Sequence, residues 1–447
     1  MLSPLLIALT ANIHNANTKR LLFLYTGGLM KLNDHGAYDT APGFLQEQVQ
    51  NETLFSSENL PSFDFLEFNP LLDSSDMRLS NWIEIANAIR DNYAKYDEFV
   101  VIHGTDTLTY TASALSFLLD GLAKPVVITG SQVPMVEHYN DAVNNLLGSI
   151  AVADSGLVCE SVVFFKEYVL RGNRAEKFSS VNWGGFSGAD MAELGRYQES
   201  FTLNTDMLLP CVKSSSVSVP KSLSDSVFII FCFPGLSVAH IEDILAKAEG
   251  VIFMVSSVGV LPTDDDLLNR LKTFTANGKH AYIVSQCYNG HALNVYEEKY
   301  GIVSLGTMTV EAAYAKLLWV LASERSYPSQ IEKMKQNLKG EYNTTLTTPP
   351  KSTQNFVVTT MIVVTATSVV VGGAMLVMAF LIILRGNPKR KASNRARLSG
   401  GQEEDSKAIV DAEEPPVIQM EPIEGQMELE EMNKRERKDD DVTSLSS

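Results

Sequence analysis

A chain of 447 residues with 45% hydrophobic content can bury more than one core, so two globular domains plus flanking segments are expected. Its formal net charge of −17 argues against a nucleic-acid partner. The excess is uneven: residues 398–447 hold fifteen Asp and Glu against five Lys and Arg, so the rest of the chain is only mildly acidic.

MLSPLLIALTANIHNA at 1–16 carries a short apolar run of the length found in export signals, although no basic residue precedes it. From there to about residue 211, short apolar runs alternate with helix-length patterns. RLLFLYTGG (20–28), EFVVIHGTD (98–106), PVVITGS (125–131) and SVVFFKE (161–167) read as buried strands. NWIEIANAIRDNYAKY (81–96) and ASALSFLLDGL (112–122) read as amphipathic helices between them. That alternation predicts an α/β domain with a mostly parallel sheet over 17–211. Ligands of such sheets bind beyond the carboxyl ends of the strands, so the residues after each strand are the place to look.

A Ser-rich linker at 212–226 leads to a second, smaller α/β domain over 227–325. Its strands are VFIIFCFPG, GVIFMVSSVG and HAYIVSQC, and its helices SVAHIEDILAKAEG and DDDLLNRLKTFTANG. Residues 326–355, ending in NTTLTTPPKSTQN, read as a polar stalk. Residues 356–384 then run for 29 positions without a charge, long enough for one helix to cross a bilayer at about 1.5 Å per residue. Arg385, Lys389, Arg390, Lys391, Arg395 and Arg397 follow at once and mark the cytoplasmic side. The expectation is a single-pass type I membrane protein with residues 385–447 as a disordered cytoplasmic tail. The N-terminal domains would then be extracellular or lumenal, and Asn51 and Asn343, each in an Asn-X-Thr sequon, would be glycosylation acceptors.

Cys159, Cys211, Cys232 and Cys287 lie in or beside apolar runs and read as buried thiols before they read as a disulfide framework. The seven histidines show no paired spacing with Cys or acidic residues, so no metal site and no cofactor are expected.

Polar groups collect at four places: Thr26 in YTGG, Ser74 and Ser75 in DSSDM, Thr105, Asp106 and Thr107 in HGTDT, and Arg171 to Lys177 in RGNRAEK. A threonine hydroxyl attacks only when a base takes its proton, so a Thr beside an Asp and within reach of a Lys is a candidate activated nucleophile. The same residues equally serve as helix caps and Asx turns.

VIHGTDTLTYTASALSFLLDGLAKPVVITGSQVP (101–134) resembles the second signature of the bacterial-type L-asparaginases, across the strand, turn, helix and following strand. PLLDSSDM, RGNRAEKFSS and TMTVEAAYAKLLWVLA (307–322) resemble the type I branch of that family, and together the likeness covers about residues 20–325. The resemblance implies the two-domain asparaginase fold and hydrolysis of L-asparagine to L-aspartate and ammonia through an acyl-enzyme. It also implies an oligomer, because the family's site is built between the N-terminal domain of one subunit and the C-terminal domain of another. By motif, Thr105, Asp106 and Lys177 would form a proton relay. Asp106 would also hold the substrate's α-amino group, Ser74 with Ser75 its α-carboxylate, and Tyr38 in GAYDTAPG would orient the attacking hydroxyl of the first signature.

Two positions depart from the pattern. The family's first signature places a second threonine after Thr-Gly-Gly as the usual nucleophile, and here that position is Leu29, on a loop over 28–38 that is one residue short. In SSVGVLPTDDD the family's asparagine is Val260. Leucine has no lone pair to attack with. Three readings follow: an asparaginase-type hydrolase in which Thr105 or water attacks, an inactive ectodomain that binds an amino-acid-like ligand or a partner, and a purely structural surface protein. An impaired hydrolase that a threonine at position 29 would restore is the expectation that the family pattern favours.

Overall fold

A computed structural model describes residues 19–32, 38–198, 200–256, 258–262 and 264–343. The expected leader at 1–16, the uncharged run at 356–384 and the acidic tail lie outside the described residues. Among those described, no helix is long and apolar enough to cross a membrane.

The first domain is built on an eight-stranded sheet. In spatial order its strands are Phe201–Leu203, Gly195–Tyr197, Tyr168–Arg171, Ser161–Phe165, Val126–Thr129, Glu98–Ile102, Arg20–Tyr25 and Ser62–Glu67. The five from Ser161–Phe165 to Ser62–Glu67 are parallel, and the other three join antiparallel. The sheet is therefore mixed, where a mostly parallel one was expected. The reversal occurs at a two-residue turn, Lys166-Glu167, with Lys166 in the left-handed region at φ 60°. The second domain carries a four-stranded parallel sheet, Val227–Phe231, Gly250–Val255, His280–Ser285 and Val303–Ser304, as the alternation predicts.

The parallel strands are apolar on both faces because both faces are covered. Along the first sheet, Leu22, Leu24, Phe99, Val101, Val126, Ile128, Val163 and Phe165 point to one side, and Leu21, Phe23, Val100, Ile102, Val127 and Phe164 to the other. In the second sheet Ile252, Tyr282, Val284 and Val303 join the same apolar cluster as the first group. One continuous core thus lies between the two sheets. Two helices fill it, Leu108–Leu118 and Val310–Ser323, with Phe117 stacked on Trp319 at 6.2 Å between ring centroids.

Two expectations are corrected. Residues 326–343, read as the start of a stalk, are folded: the helix Tyr327–Lys335 buries Met334, and the chain beyond it buries Glu341. The Lys316 ammonium, 0% exposed, pairs with the Glu341 carboxylate, also 0% exposed, at 2.5 Å and donates to the Met334 and Gln336 carbonyls. That carboxylate also accepts from the amides of Leu338 and Lys339. Second, Cys159 and Cys211 form a disulfide, while Cys232 is half-buried and Cys287 exposed. The bond closes where 207–211 folds back on the first domain, with the Glu160 carboxylate accepting from Leu209 N and Arg171 donating to Met207 O. The 212–226 linker packs on the first domain: Val217 is buried and Ser218 exchanges both backbone hydrogen bonds with Asp120.

Removing one partner of a buried pair leaves the other charged and unpaired, which typically costs about 3–5 kcal/mol. Glu341→Ala should therefore destabilise the protein by that order, read as the shift in urea midpoint, despite lying beyond both domains as read from sequence. A midpoint unchanged within error would show that the 326–343 segment contributes nothing to folding.

Candidate active site

The site is assembled where three parallel strands of the first sheet end. Arg20–Tyr25 runs into Thr26-Gly27-Gly28, Glu98–Ile102 into His103-Gly104-Thr105-Asp106, and Ser62–Glu67 leads toward Asp73-Ser74-Ser75. Thr26 is buried, and its hydroxyl donates to the Ile102 carbonyl at 2.8 Å, so it ties two strand ends together. Gly27 and Gly28 sit at φ 140° and 86°, and side chains there would meet backbone: a Cβ on Gly27 would stand 2.1 Å from the Leu72 carbonyl oxygen, and one on Gly28 2.3 Å from Gly104 N. A Cβ on Gly104 would fall 2.4 Å from Ser74 Oγ. Glycine at these positions is what lets the loops approach.

Polar contacts then fix the loops. Asp73 caps the short turn Ser74–Asp76 by accepting from Ser75 N at 2.8 Å and from Ser75 Oγ at 2.9 Å. Ser75 is thus exposed and engaged in its own turn. Ser74 is buried, its Oγ accepts from Asp106 N at 3.3 Å, and its carbonyl accepts from Thr107 Oγ1 at 2.6 Å. Beneath them lies His103, wholly buried, whose Nδ1 is 2.6 Å from the Gly104 carbonyl and whose Nε2 is 2.9 Å from Thr111 Oγ1. Burial lowers its pKa to about 4, so the ring is neutral. With Nδ1 as donor to Gly104, Nε2 accepts from Thr111, whose oxygen accepts in turn from Trp82 Nε1 at 3.0 Å. His103 was not singled out in the sequence, where a lone histidine inside a strand-turn motif gives no sign of its partners.

Lys177 comes from outside these loops. It belongs to the two-residue strand Glu176–Lys177, antiparallel to Phe186–Ser187, and its side chain is 17% exposed. Its ammonium donates to Thr105 Oγ1 at 3.0 Å and to Asp106 Oδ1 at 3.1 Å. The Asp106 carboxylate is 61% exposed, so this ion pair adds little stability and its value is positional. Ser74, Thr105, Asp106 and Lys177 are therefore brought together.

The remaining site positions fall elsewhere. Leu29 is 1% exposed and belongs to the apolar cluster with Tyr25, Phe44, Leu45 and Met135, and the Tyr25 hydroxyl donates to its carbonyl at 2.8 Å. A threonine there would bury its hydroxyl among hydrocarbon. Tyr38 opens the strand Tyr38–Thr40, paired with Met30–Leu32 so that its backbone lies opposite Leu32. Its side chain is outside the described residues. Val260 is half exposed on the loop after Gly250–Val255 of the second domain. Asn51 is exposed at the end of its helix, whereas the Asn343 amide nitrogen, the atom a glycan would take, donates to the Asp190 carbonyl at 2.7 Å. Among the described residues, no group of three or more His, Cys, Asp or Glu is placed to hold a metal ion.

Comparison with known proteins agrees with this architecture. Residues 20–208 match the family model for the asparaginase N-terminal domain, and 226–334 that for the glutaminase/asparaginase C-terminal domain. The chain is 31% identical to L-asparaginase 1 of Escherichia coli K12 over 72% of its own length and 98% of that protein. It is also 31% identical to a mouse protein named 60 kDa lysophospholipase, of which it spans 63% of the length. The crystal structure of L-asparaginase I from Vibrio cholerae superposes with a TM-score of 0.67 at 35% identity, covering 73% of this chain and 99% of that one. Two domain models in tandem and near-complete coverage of a bacterial L-asparaginase lead to one conclusion: this chain belongs to the asparaginase family.

Proposed function

We propose that the protein is an amidohydrolase of the L-asparaginase type, converting L-asparagine to L-aspartate and ammonia, with Thr105 as its reactive hydroxyl. The observation that carries this reading is the Lys177 ammonium set 3.0 Å from Thr105 Oγ1 and 3.1 Å from Asp106 Oδ1. In its amine form Lys177 takes the Thr105 proton as the oxygen attacks the carboxamide carbon. The proton then passes to the departing nitrogen, which leaves as ammonia, and water opens the resulting ester. Asp106 faces solvent and suits an α-ammonium group, and the Ser74 hydroxyl, which accepts from Asp106 N, keeps its own proton to donate to an α-carboxylate.

A second reading, an inactive ectodomain that binds an amino-acid-like ligand, is favoured by the burial of Leu29 at the family's usual nucleophile position. Ammonia release from asparagine by the purified full-length protein separates the two. The hydrolase reading expects turnover below the ~10 s⁻¹ common among enzymes, with Thr105→Val removing it. Leu29→Thr should leave the rate unimproved and cost about 1–3 kcal/mol of stability for its buried hydroxyl. No ammonia release together with measurable aspartate binding would select the inactive reading. Turnover untouched by Thr105→Val would remove Thr105 from the chemistry.

The chain is further proposed to be a single-pass type I membrane protein, led by an export signal at 1–16, spanning at 356–384 and ending in a cytoplasmic tail. Support comes from the 29-residue uncharged run with its basic flank, and from the Cys159–Cys211 disulfide, a bond that persists in oxidising compartments. In glycosylating cells, Asn51→Gln should abolish an endoglycosidase-sensitive mobility shift that Asn343→Gln leaves in place. Protease added to intact cells should remove the asparaginase-like domains, and their protection would overturn this topology.

A homo-oligomer is proposed as well. Phe231, Phe233, Val258, Val260 and Tyr288 are exposed apolar or aromatic side chains at or beyond the ends of three adjacent parallel strands of the second domain, an arrangement that a partner surface would cover.

A further inference from the structure

Lys177 reaches Thr105 from a small hairpin and not from a strand of the main sheet. Its two arms, Glu176–Lys177 and Phe186–Ser187, pair over two residues each, and Phe178 N adds one further bond to the Gly185 carbonyl. So short a ladder is marginal by itself and presents a lysine reliably only if its ends are fixed. The chain enters the hairpin through Arg174 and leaves it through Asp190, and the side chains of these two form a buried ion pair across its base.

Both stems are tied to the end of the described chain. On the entering stem, Asn173 Nδ2 donates to the Lys339 carbonyl at 2.9 Å, and Arg174 Nη1 donates to the Glu341 carbonyl at 2.9 Å and to the Thr307 carbonyl at 2.5 Å. On the leaving stem, the Asn343 amide nitrogen donates to the Asp190 carbonyl at 2.7 Å, while Asn343 N donates to Thr307 Oγ1 at 2.9 Å. Alternate residues 339, 341 and 343 thus each make a hydrogen bond to the base of the hairpin.

The approach is close. Gly340 sits at φ 73°, and a Cβ there would stand 2.5 Å from Arg171 Nη1, so glycine is what lets the segment lie against 171–174. The segment is in turn anchored on the second domain through the buried Lys316–Glu341 pair. Further along the hairpin, the Tyr288 hydroxyl of the second domain adds a bond to Ser187 Oγ.

We propose that residues 339–343 are a positioning clamp for Lys177: by bonding Asn173 and Arg174 on one stem and Asp190 on the other, they set the hairpin where its ammonium meets Thr105 and Asp106. This rests on the reading of Thr105, Asp106 and Lys177 as the reactive set. Ser74, Thr105 and Asp106 are placed by the loops at the strand ends, which the clamp does not touch. Loosening the clamp therefore displaces the group that carries the proton and leaves in place those suited to an α-carboxylate and an α-ammonium. Chemistry and binding should separate.

The test uses the full-length protein with Asn173→Ala, Asn343→Ala and both together. Leu245→Ala serves as the stability control, because Leu245 is buried in an apolar cluster of the second domain that includes none of these residues. Hydrogen–deuterium exchange reads the hairpin whether or not the protein is active. Amides of 177–187 should exchange about fivefold faster in each single variant, as expected for one lost hydrogen bond, and faster still in the double variant. Those of Leu108–Leu118 should keep the wild-type rate, and Leu245→Ala should leave the hairpin unchanged. Asparagine turnover at saturating substrate should fall about tenfold in the single variants, with aspartate affinity held within about twofold. Thr345→Ala removes the sequon but keeps the Asn343 amide, and it should match wild type in every readout. If it reproduces Asn343→Ala instead, a glycan and not the hydrogen bond is responsible, and the proposal fails. Unchanged exchange at 177–187 in the double variant would also overturn it, as would faster exchange with undiminished turnover. Should the double variant fail to fold, the single variants decide. Faster exchange in a protein that releases no ammonia would support the clamp and count against the catalytic reading alone.

Discussion

The apolar layer shared by the two sheets is the constraint on which the rest depends. Leu108–Leu118 and Val310–Ser323 are buried almost all round, as helices are when sheets lie on either side of them, and their buried polar residues are few enough to be hydrogen-bonded or paired. Each large side chain buried there is worth about 1.5–3 kcal/mol relative to exposure, and Phe117, Trp319, Leu115 and Leu317 are only part of the set. Because Leu108–Leu118 starts directly after Thr105 and Asp106, the packing that joins the domains also fixes the candidate site.

Along this layer runs a polar seam. Lys316 with Glu341, Arg174 with Asp190, and Glu311 with Thr109 all lie where the first domain, the second domain and the 326–343 segment meet. Replacing a buried ion pair by hydrocarbon is often neutral or stabilising, so the seam is poorly explained as a source of net stability. Its directional bonds explain more. Arg174 donates to Thr307 and Glu341, and Asn173 to Lys339, so the second domain and the 326–343 segment meet the first in one register. The Cys159–Cys211 disulfide adds a covalent clamp beside Glu160, whose carboxylate pairs with Arg171.

At the site, preorganisation comes from the absence of side chains as much as from their presence. Gly27, Gly28 and Gly104 let three strand-end loops approach to backbone contact, and neutral His103 satisfies the Gly104 carbonyl from below. Into that frame come the polar groups of Ser74, Thr105, Asp106 and Lys177, of which the Asp106 carboxylate is largely in solvent. A small ligand bearing an ammonium and a carboxylate would therefore meet an arrangement already ordered by the fold.

The amino-acid sequence by itself determined most of the parallel strands, since a strand covered on both faces needs an unbroken apolar run, which Ser62–Glu67 lacks, and it marked Ser74, Thr105, Asp106 and Lys177 as candidates, since each lies in a contiguous motif. Other features depended on partners far along the chain. The hairpin at Lys166-Glu167 has none of the Gly or Asn that usually announces one, and Cys159 and Cys211 stand 52 residues apart in contexts that suit free thiols equally well. The polar residues after 326 resemble a stalk until Lys316 is seen beneath Glu341. Likewise Leu29 reads as a site position lacking a hydroxyl, and only the tertiary structure turns it into the core, because the direction of a side chain after a Gly-Gly turn is decided by the space its neighbours leave.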